Sequence, residues 1–179
     1  MALTRIGQSR ISSLTQAGVL AELSNLYYEA TLNELLSMYE WSFAIKRSAL
    51  GASGDTNLSA YSMMYNLPSD YIRVLTLLDE VDHSDITDKW EIEGRQLLTN
   101  KSPVYIKYIG KITNPNKLPQ PFIEALYLRI ASKMVVKITQ DQSLMSMLFQ
   151  EYTVAMTAAM AYIGGHSKED IQPNEWWGE

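Results

Sequence analysis

Cysteine is absent from the chain. Disulfides, thiol nucleophiles and thiolate metal ligands are therefore excluded. Histidine occurs only as His83 and His166, too few for a polyhistidine metal centre within one chain. No uninterrupted apolar run reaches the roughly 18 residues of a membrane-spanning helix, and no signal-peptide pattern opens the chain. These absences predict a protein made and folded in a cytosol, with no membrane partner, no metal and no cofactor. Lys and Arg number 15 against 20 Asp and Glu, for a formal net charge of -5. A sequence-independent nucleic-acid binder needs clustered cations to neutralise phosphates. Lys46, Arg47, Lys107, Lys111 and Lys117 are isolated points instead. They would line a channel only if symmetry repeated them around an axis. Phosphate loops (GxxxxGK[ST], GxGxxG) and the HExxH and GxSxG motifs are also missing.

What remains is a chain of 179 residues, 46% apolar and 20% charged, with nine Met and eleven Tyr. That is enough apolar material to fold around a substantial core. Flexible thioethers suit adaptable surfaces, and Tyr suits interfaces that are dry on one side and wet on the other. Residues 20–39 contain neither Pro nor Gly, and their apolar residues fall at helical spacing. Leu20, Leu23, Tyr27 and Ala30 form one line, and Leu32, Leu35, Leu36 and Tyr39 the next. Such a helix is roughly 30 Å long, and its wide apolar sector calls for at least two packing partners. Ser13 or Thr15 is the expected cap at its start.

Around this helix the pattern changes twice. Residues 1–6 read as a short helical start with Leu3 and Ile6 inward, and Ile11 and Leu14 of the following connector are expected in the core. After Tyr39, Trp41, Phe43 and Ile45 alternate with polar or small residues, which predicts a strand over 42–49. Further strands are expected around Tyr61–Tyr65, over 74–78, over 89–99 with a break at Gly94-Arg95, and over 104–110. Pro68 interrupts this series, with one helical turn expected at 71–73 capped by Ser69 or Asp70. Residues 113–121 (TNPNKLPQP) are a rigid turn returning the chain to helix. A helix of about five turns then begins near Phe122. Another runs over 144–163, capped by Asp141 or Ser143, with Met145, Leu148, Tyr152, Ala155, Met156, Ala159 and Ile163 inward. The expected fold class is α+β: long antiparallel helices from 1–40 and 119–165, with a small antiparallel β-sheet inserted over 41–112. Together these make one domain over 1–165. Residues 166–179 read as a C-terminal extension carrying Trp176 and Trp177, which are expected to anchor in a partner.

Chemistry is sparse. The acidic stretch 79–88 (DEVDHSDITD) lacks the spacing, central Gly and distal Glu of a calcium loop, and a solvated hairpin turn is the better reading. His83 lies in that loop and His166 in the extension, neither on a rigid support for a triad. Glu91, Glu93 and Glu124 are the candidates for a carboxylate pair, as glycoside cleavage would need.

Several motifs in fixed order resemble a known family. They are WxFAxKR at 41–47, YxLPxDYxR at 65–73, WxxEGRxLxTN at 90–100, and PVxIxYI at 103–109 followed by TNPxxxPxxFxEALxxRxA. The succession resembles the tail tubular protein A family of short-tailed bacteriophages, the gatekeeper or head-to-tail adaptor. The resemblance implies a virion tail protein of the connector type, assembled as a dodecameric ring beneath the portal. The tubular protein B nozzle would attach below, tail fibres would join at that junction, and double-stranded DNA would pass through the lumen at ejection. It implies no catalytic residue; the alternatives in that setting are a peptidoglycan-degrading virion-associated enzyme using such carboxylates and a monomeric prophage-derived binding module. Trp41, Phe43, Leu67, Pro68, Trp90, Glu93, Gly94 and Arg95 would be structural signature positions. Gly94 would supply a turn, and Arg95 would hold a carboxylate such as Glu93. The extension with Trp176 and Trp177 would contact the portal. Tyr105 and Lys107, on a strand with apolar groups on both faces, are further candidate partner-binding residues.

Overall fold

The computed structural model describes residues 1–15 and 17–164. The fold is α+β, with long helices and small antiparallel sheets. The elements are α1 (Ala2–Arg5), α2 (Val19–Met38), β1 (Ile45–Ala49), β2 (Met63–Asn66), β3 (Tyr71–Leu78), β4 (Asp85–Ile86), β5 (Trp90–Glu93), β6 (Gln96–Thr99), β7 (Tyr105–Gly110), α3 (Gln120–Thr139) and α4 (Gln142–Gly164). The chain divides into two compact units. One comprises Met1–Thr31 with the described residues from Leu118 on, and the other Leu32–Lys117. The division therefore falls inside α2, not after it.

In the first unit α3 and α4 form an αα-hairpin. Gln140 ends α3 in the left-handed conformation at φ 57, its N–H donating to Val136 O. The Asp141 carboxylate then accepts the Leu144 N–H at 2.9 Å, satisfying an otherwise orphaned donor in the first turn of α4. Asp141→Ala is expected to cost about 1 kcal/mol, read as a lower urea midpoint at unchanged slope. Helix α3 buries Phe122, Ala125, Leu126, Leu128, Ile130, Ala131, Met134 and Val135. Successive residues on a helix turn by about 100°, so this set faces every direction and α3 is the central helix of the unit. Leu3 and Ile6 are buried, Ile11 is half-buried and Leu14 exposed. Ser13 does not cap α2. Its hydroxyl instead meets the Thr15 N–H and hydroxyl, while Gly18 O accepts the first helical N–H groups, from Ala21 and Glu22.

In the second unit the strands form two antiparallel sheets where one was expected, ordered β1-β7-β3-β4 and β2-β6-β5. The break at Gly94-Arg95 is a tight turn that pairs β5 with β6, and β2 joins the other edge of β6. One apolar core serves both sheets: Tyr65, Leu67, Val74, Leu77, Leu97, Val104, Ile106 and Tyr108. Residues 42–44 form a 3-10 turn, leaving the strand to start at Ile45. Residues 71–73, expected as a helical turn, open β3 instead. Tyr71 pairs with Gly110 and Arg73 with Ile109, and this long-range ladder outweighs the local preference after Pro68.

Candidate functional site

The signature positions cluster in the second unit and hold its turns. Trp41 is fully buried, and its indole N–H donates to Leu35 O at 2.7 Å. Tyr39 meets the ring edge-on at 5.2 Å and half-buried Phe43 lies tilted at 5.8 Å. The 3-10 turn at 42–44 sets this aromatic group at the mouth of β1. Leu67 is buried, while Pro68 and Trp90 are half-buried. Gly94 takes φ 58, a left-handed position that glycine occupies without strain. Arg95 does not hold Glu93, which is exposed on β5. Its guanidinium instead donates to Pro68 O at 2.6 Å and lies 6.0 Å from the Tyr71 ring centre. Leu67 N–H in turn donates to Arg95 O. The β5–β6 turn is thus tied to the Pro68 bend by carbonyl contacts.

Tyr105 and Lys107 share one face of the four-stranded sheet. Strand register sets Arg47 opposite Lys107 and Ala49 opposite Tyr105 on one side, with Thr76 and Leu78 opposite them on the other. Arg47 and Lys107 are like charges directly across a ladder, an unfavourable pairing that Asp85 of β4 relieves through an ion pair with Lys107 at 3.2 Å. Two-residue β4 matters for that reason: it carries a carboxylate out of the acidic loop onto the sheet edge. His83, in the left-handed region at φ 56, rests its ring 5.6 Å from Tyr105. Together with Arg47 and Leu78 they line a shallow pocket of about 210 Å³. This face combines an aromatic ring, an apolar floor and cations, a composition suited to a partner's polar rim rather than to bond-making chemistry.

The opposite end of β7 carries a polar cluster that braces the sheet. The Lys46 ammonium donates to the Asp70 carboxylate at 2.5 Å and to Lys111 O at 3.1 Å. The Tyr108 hydroxyl donates to the other Asp70 oxygen at 3.1 Å. Gly110 makes room for this, since a Cβ there would stand 2.7 Å from Lys46 Cδ. Burial opposes ionisation of Asp70, but the Lys46 ammonium and the Tyr108 hydroxyl outweigh it and hold the carboxyl below its usual range. Burial, with the Asp70 charge beside it, pushes the Tyr108 phenol up to about 12. The consequences for stability have opposite signs. The Asp70 contribution is present above the ordinary carboxyl value of 3.8 and is lost as pH falls through its lower folded value. The Tyr108 contribution is intact below 10 and is lost as pH rises towards about 12, because the unfolded phenol ionises first. Wild type is expected to lose stability over that alkaline interval more steeply than Tyr108→Phe. Urea midpoints measured at several alkaline pH values read the difference.

Glu91 and Glu93 belong to the second unit and Glu124 to the first, where it lines a groove with Arg5 and Glu151. Glu91 and Glu93 are exposed on the same face of β5, and Glu124, on α3, accepts the Tyr127 hydroxyl at 3.5 Å. Among the described residues no group of three or more His, Cys, Asp or Glu side chains could hold a metal, and no helix is long and apolar enough to cross a membrane. Residues 166–179, with His166, Trp176 and Trp177, lie outside the described residues.

The surface that periodicity did not single out is on α4. Of its expected inward stripe Leu148, Tyr152, Ala155, Met156, Ala159 and Ile163 are buried, and Met145, near the helix start, is half-buried. Yet Glu151 is the only charged residue in 23, and it is paired with Arg5. The Thr153 and Thr157 hydroxyls donate back to backbone carbonyls of the preceding turn, each at 3.0 Å. Met147, Val154, Ala158 and Tyr162 are exposed, Val154 at 71%. The exposed side mixes these with uncharged polar residues (Ser146, Gln150, Thr153, Thr157), so it is nearly uncharged over its whole length. The signal was available as missing charge between Gln142 and Gly164, not as spacing. No family model matches the chain, and no curated protein matches it in sequence.

Proposed function

We propose that the chain is a structural subunit of a bacteriophage virion: a head-to-tail adaptor of the connector type, ringed beneath the portal, with the nozzle protein below it and DNA passing through. The observation that carries this reading is the outer face of α4. It exposes Met147, Phe149, Val154 and Tyr162 on a helix with one charge in 23 residues, a surface of the kind another protein covers. The ordered motif series between Trp41 and Ala131 supports the adaptor assignment in particular. Its residues serve as sheet turns and braces, as a passive building block requires, and the role needs no catalytic group. Repeated around a ring axis, Arg47 and Lys107 would offer a thin basic lining for sequence-independent contact with DNA, and Tyr105 a contact for an adjoining ring. Trp176 and Trp177 remain the proposed portal anchors.

The test is assembly. The purified chain is mixed with the dodecameric portal of the same phage and the particles are imaged by electron microscopy. An added ring of density at the portal's narrow end is the expected result. A portal left bare at saturating chain concentration would overturn the reading.

A further inference from the structure

We propose that in the isolated chain the Trp176-Trp177 pair docks into an apolar pocket of the chain's own first unit. The pocket has a volume of about 280 Å³ and is lined from α1, α2, α3 and the connector before α2. Leu3, Leu126 and Ile130, all buried, form its floor, and the exposed Met1 and Leu14 stand at its rim. The inference needs no ring and no portal. If the adaptor reading also holds, the portal competes with this pocket for the same two rings.

The lining suits an indole in size and in chemistry. Of the inward line expected on α2, Leu23 is buried but Ala30 is exposed. Ser24 and Tyr28, one turn apart beside that line, face the pocket. The Ser24 hydroxyl donates to Leu20 O at 2.7 Å, which leaves its oxygen able to accept one N–H from the pocket. An indole offers one N–H and no acceptor, and a buried Trp usually finds such a partner. The volume falls just under the roughly 300–1,000 Å³ of sites for drug-sized molecules. It therefore fits one fused ring and not a helix, so one ring of the pair enters and its neighbour covers the mouth.

The attachment point and the sequence beyond it name the occupant. Helix α4 runs antiparallel to α3, with Glu124 and Leu128 sharing a groove with Val154 and Ala158. Gly164 therefore ends about level with the start of α3. The pocket residues Ile123, Leu126 and Ile130 lie roughly 5–15 Å further along that helix. Residues 165–176 can reach at most about 40 Å, so the tether is longer than the gap. They are polar apart from Ile171 and Pro173 until the two tryptophans arrive, a spacer followed by an anchor. A short tether that spans its site presents the anchor at an effective concentration of about 1 mM. Even a weak pocket is then filled from within the chain before a second copy, at micromolar concentration, can reach it.

The test uses the isolated full-length chain and methyl NMR of labelled isoleucines. Ile11, Ile123 and Ile130 line the pocket, and Ile106, fully buried in the second unit, reports whether each variant folds. In wild type the three pocket methyls should carry ring-current shifts that stay constant on dilution. Those shifts should be lost in the double variant Trp176→Ala and Trp177→Ala, with the Ile106 methyl unmoved. One tail indole N–H should exchange slowly with water in wild type and faster in Ser24→Ala. Pocket methyls at the same positions in wild type and the double variant would overturn the proposal. Shifts that fade on dilution would give the pocket to the tail of a second copy, and overturn it as well. Unchanged indole exchange in Ser24→Ala would overturn the hydrogen bond assigned to that hydroxyl. With no portal in the sample, each of these results leaves the adaptor reading standing, and a portal left bare leaves this inference standing.

Discussion

Replacing Leu35 by Asp is expected to abolish the cooperative thermal transition. Leu35 is fully buried on α2, and its carbonyl receives the indole N–H of Trp41 at 2.7 Å. Removing the side chain forfeits about 2 kcal/mol of apolar burial. Placing a carboxylate in the same space adds a desolvation penalty of about 3 kcal/mol or more, because the Trp41 donor is already engaged by the backbone. The total, about 5 kcal/mol, consumes the whole stability of an ordinary small domain at the low end of its range. The loss should spread to the aromatic group of Tyr39, Trp41 and Phe43, since the turn that sets it hangs on the end of α2. Leu35→Met, which keeps the volume, should cost less than about 1.5 kcal/mol and retain the transition. Near-ultraviolet circular dichroism of Trp41 and a thermal scan read both variants. An unchanged melting temperature for Leu35→Asp would mean that this face of the helix is wrongly assigned.

That assignment is the kind of feature a sequence displays well. Helical spacing placed α2, α3 and α4 to within a few residues, and Asp141 announced the cap that it makes. The inward stripe of α4 was equally legible, because each helix encodes its buried face locally. The sheets were less so. β1 pairs with β7 across some sixty residues, and nothing in either strand names its partner. The stretch after Pro68 looked like a turn with Asp70 as its cap. In the fold Asp70 is committed to Lys46 and Tyr108 instead, two residues distant in sequence that the ladder brings together. β4 is two residues long inside an acidic loop and carries no period at all. Arg95 was expected to seek a carboxylate, but the Pro68 carbonyl stood closer once β5 and β6 had turned back on themselves. The exposed apolar residues of α4 were hidden for a different reason. Periodicity reports that apolar residues line up, not which of them the chain itself will cover.

Val154→Lys is expected to leave the isolated chain as stable as wild type and to abolish its assembly. Val154 is 71% exposed and makes no demand on the fold, and lysine is a good helix former. Its effect on stability should therefore stay within about 0.5 kcal/mol. In the proposed assembly the same position is covered by another protein, and an ammonium buried there without a counter-charge is costly. A penalty of about 3 kcal/mol for each contact would weaken it more than 100-fold. Because the subunits are identical, every contact in the ring carries the change, and the avidity that makes weak contacts add up works against assembly to the same degree. Val154→Ile, which extends the apolar surface, should assemble normally and serves as the control. Thr157→Lys, one turn further along the helix at another exposed position, should be nearly silent if the interface centres on Val154. Sedimentation and electron microscopy of each variant on the portal separate these outcomes. Val154→Lys rings of wild-type yield would remove α4 from the interface, whereas loss of assembly in Thr157→Lys as well would widen that interface from the surroundings of Val154 to the whole exposed half of the helix.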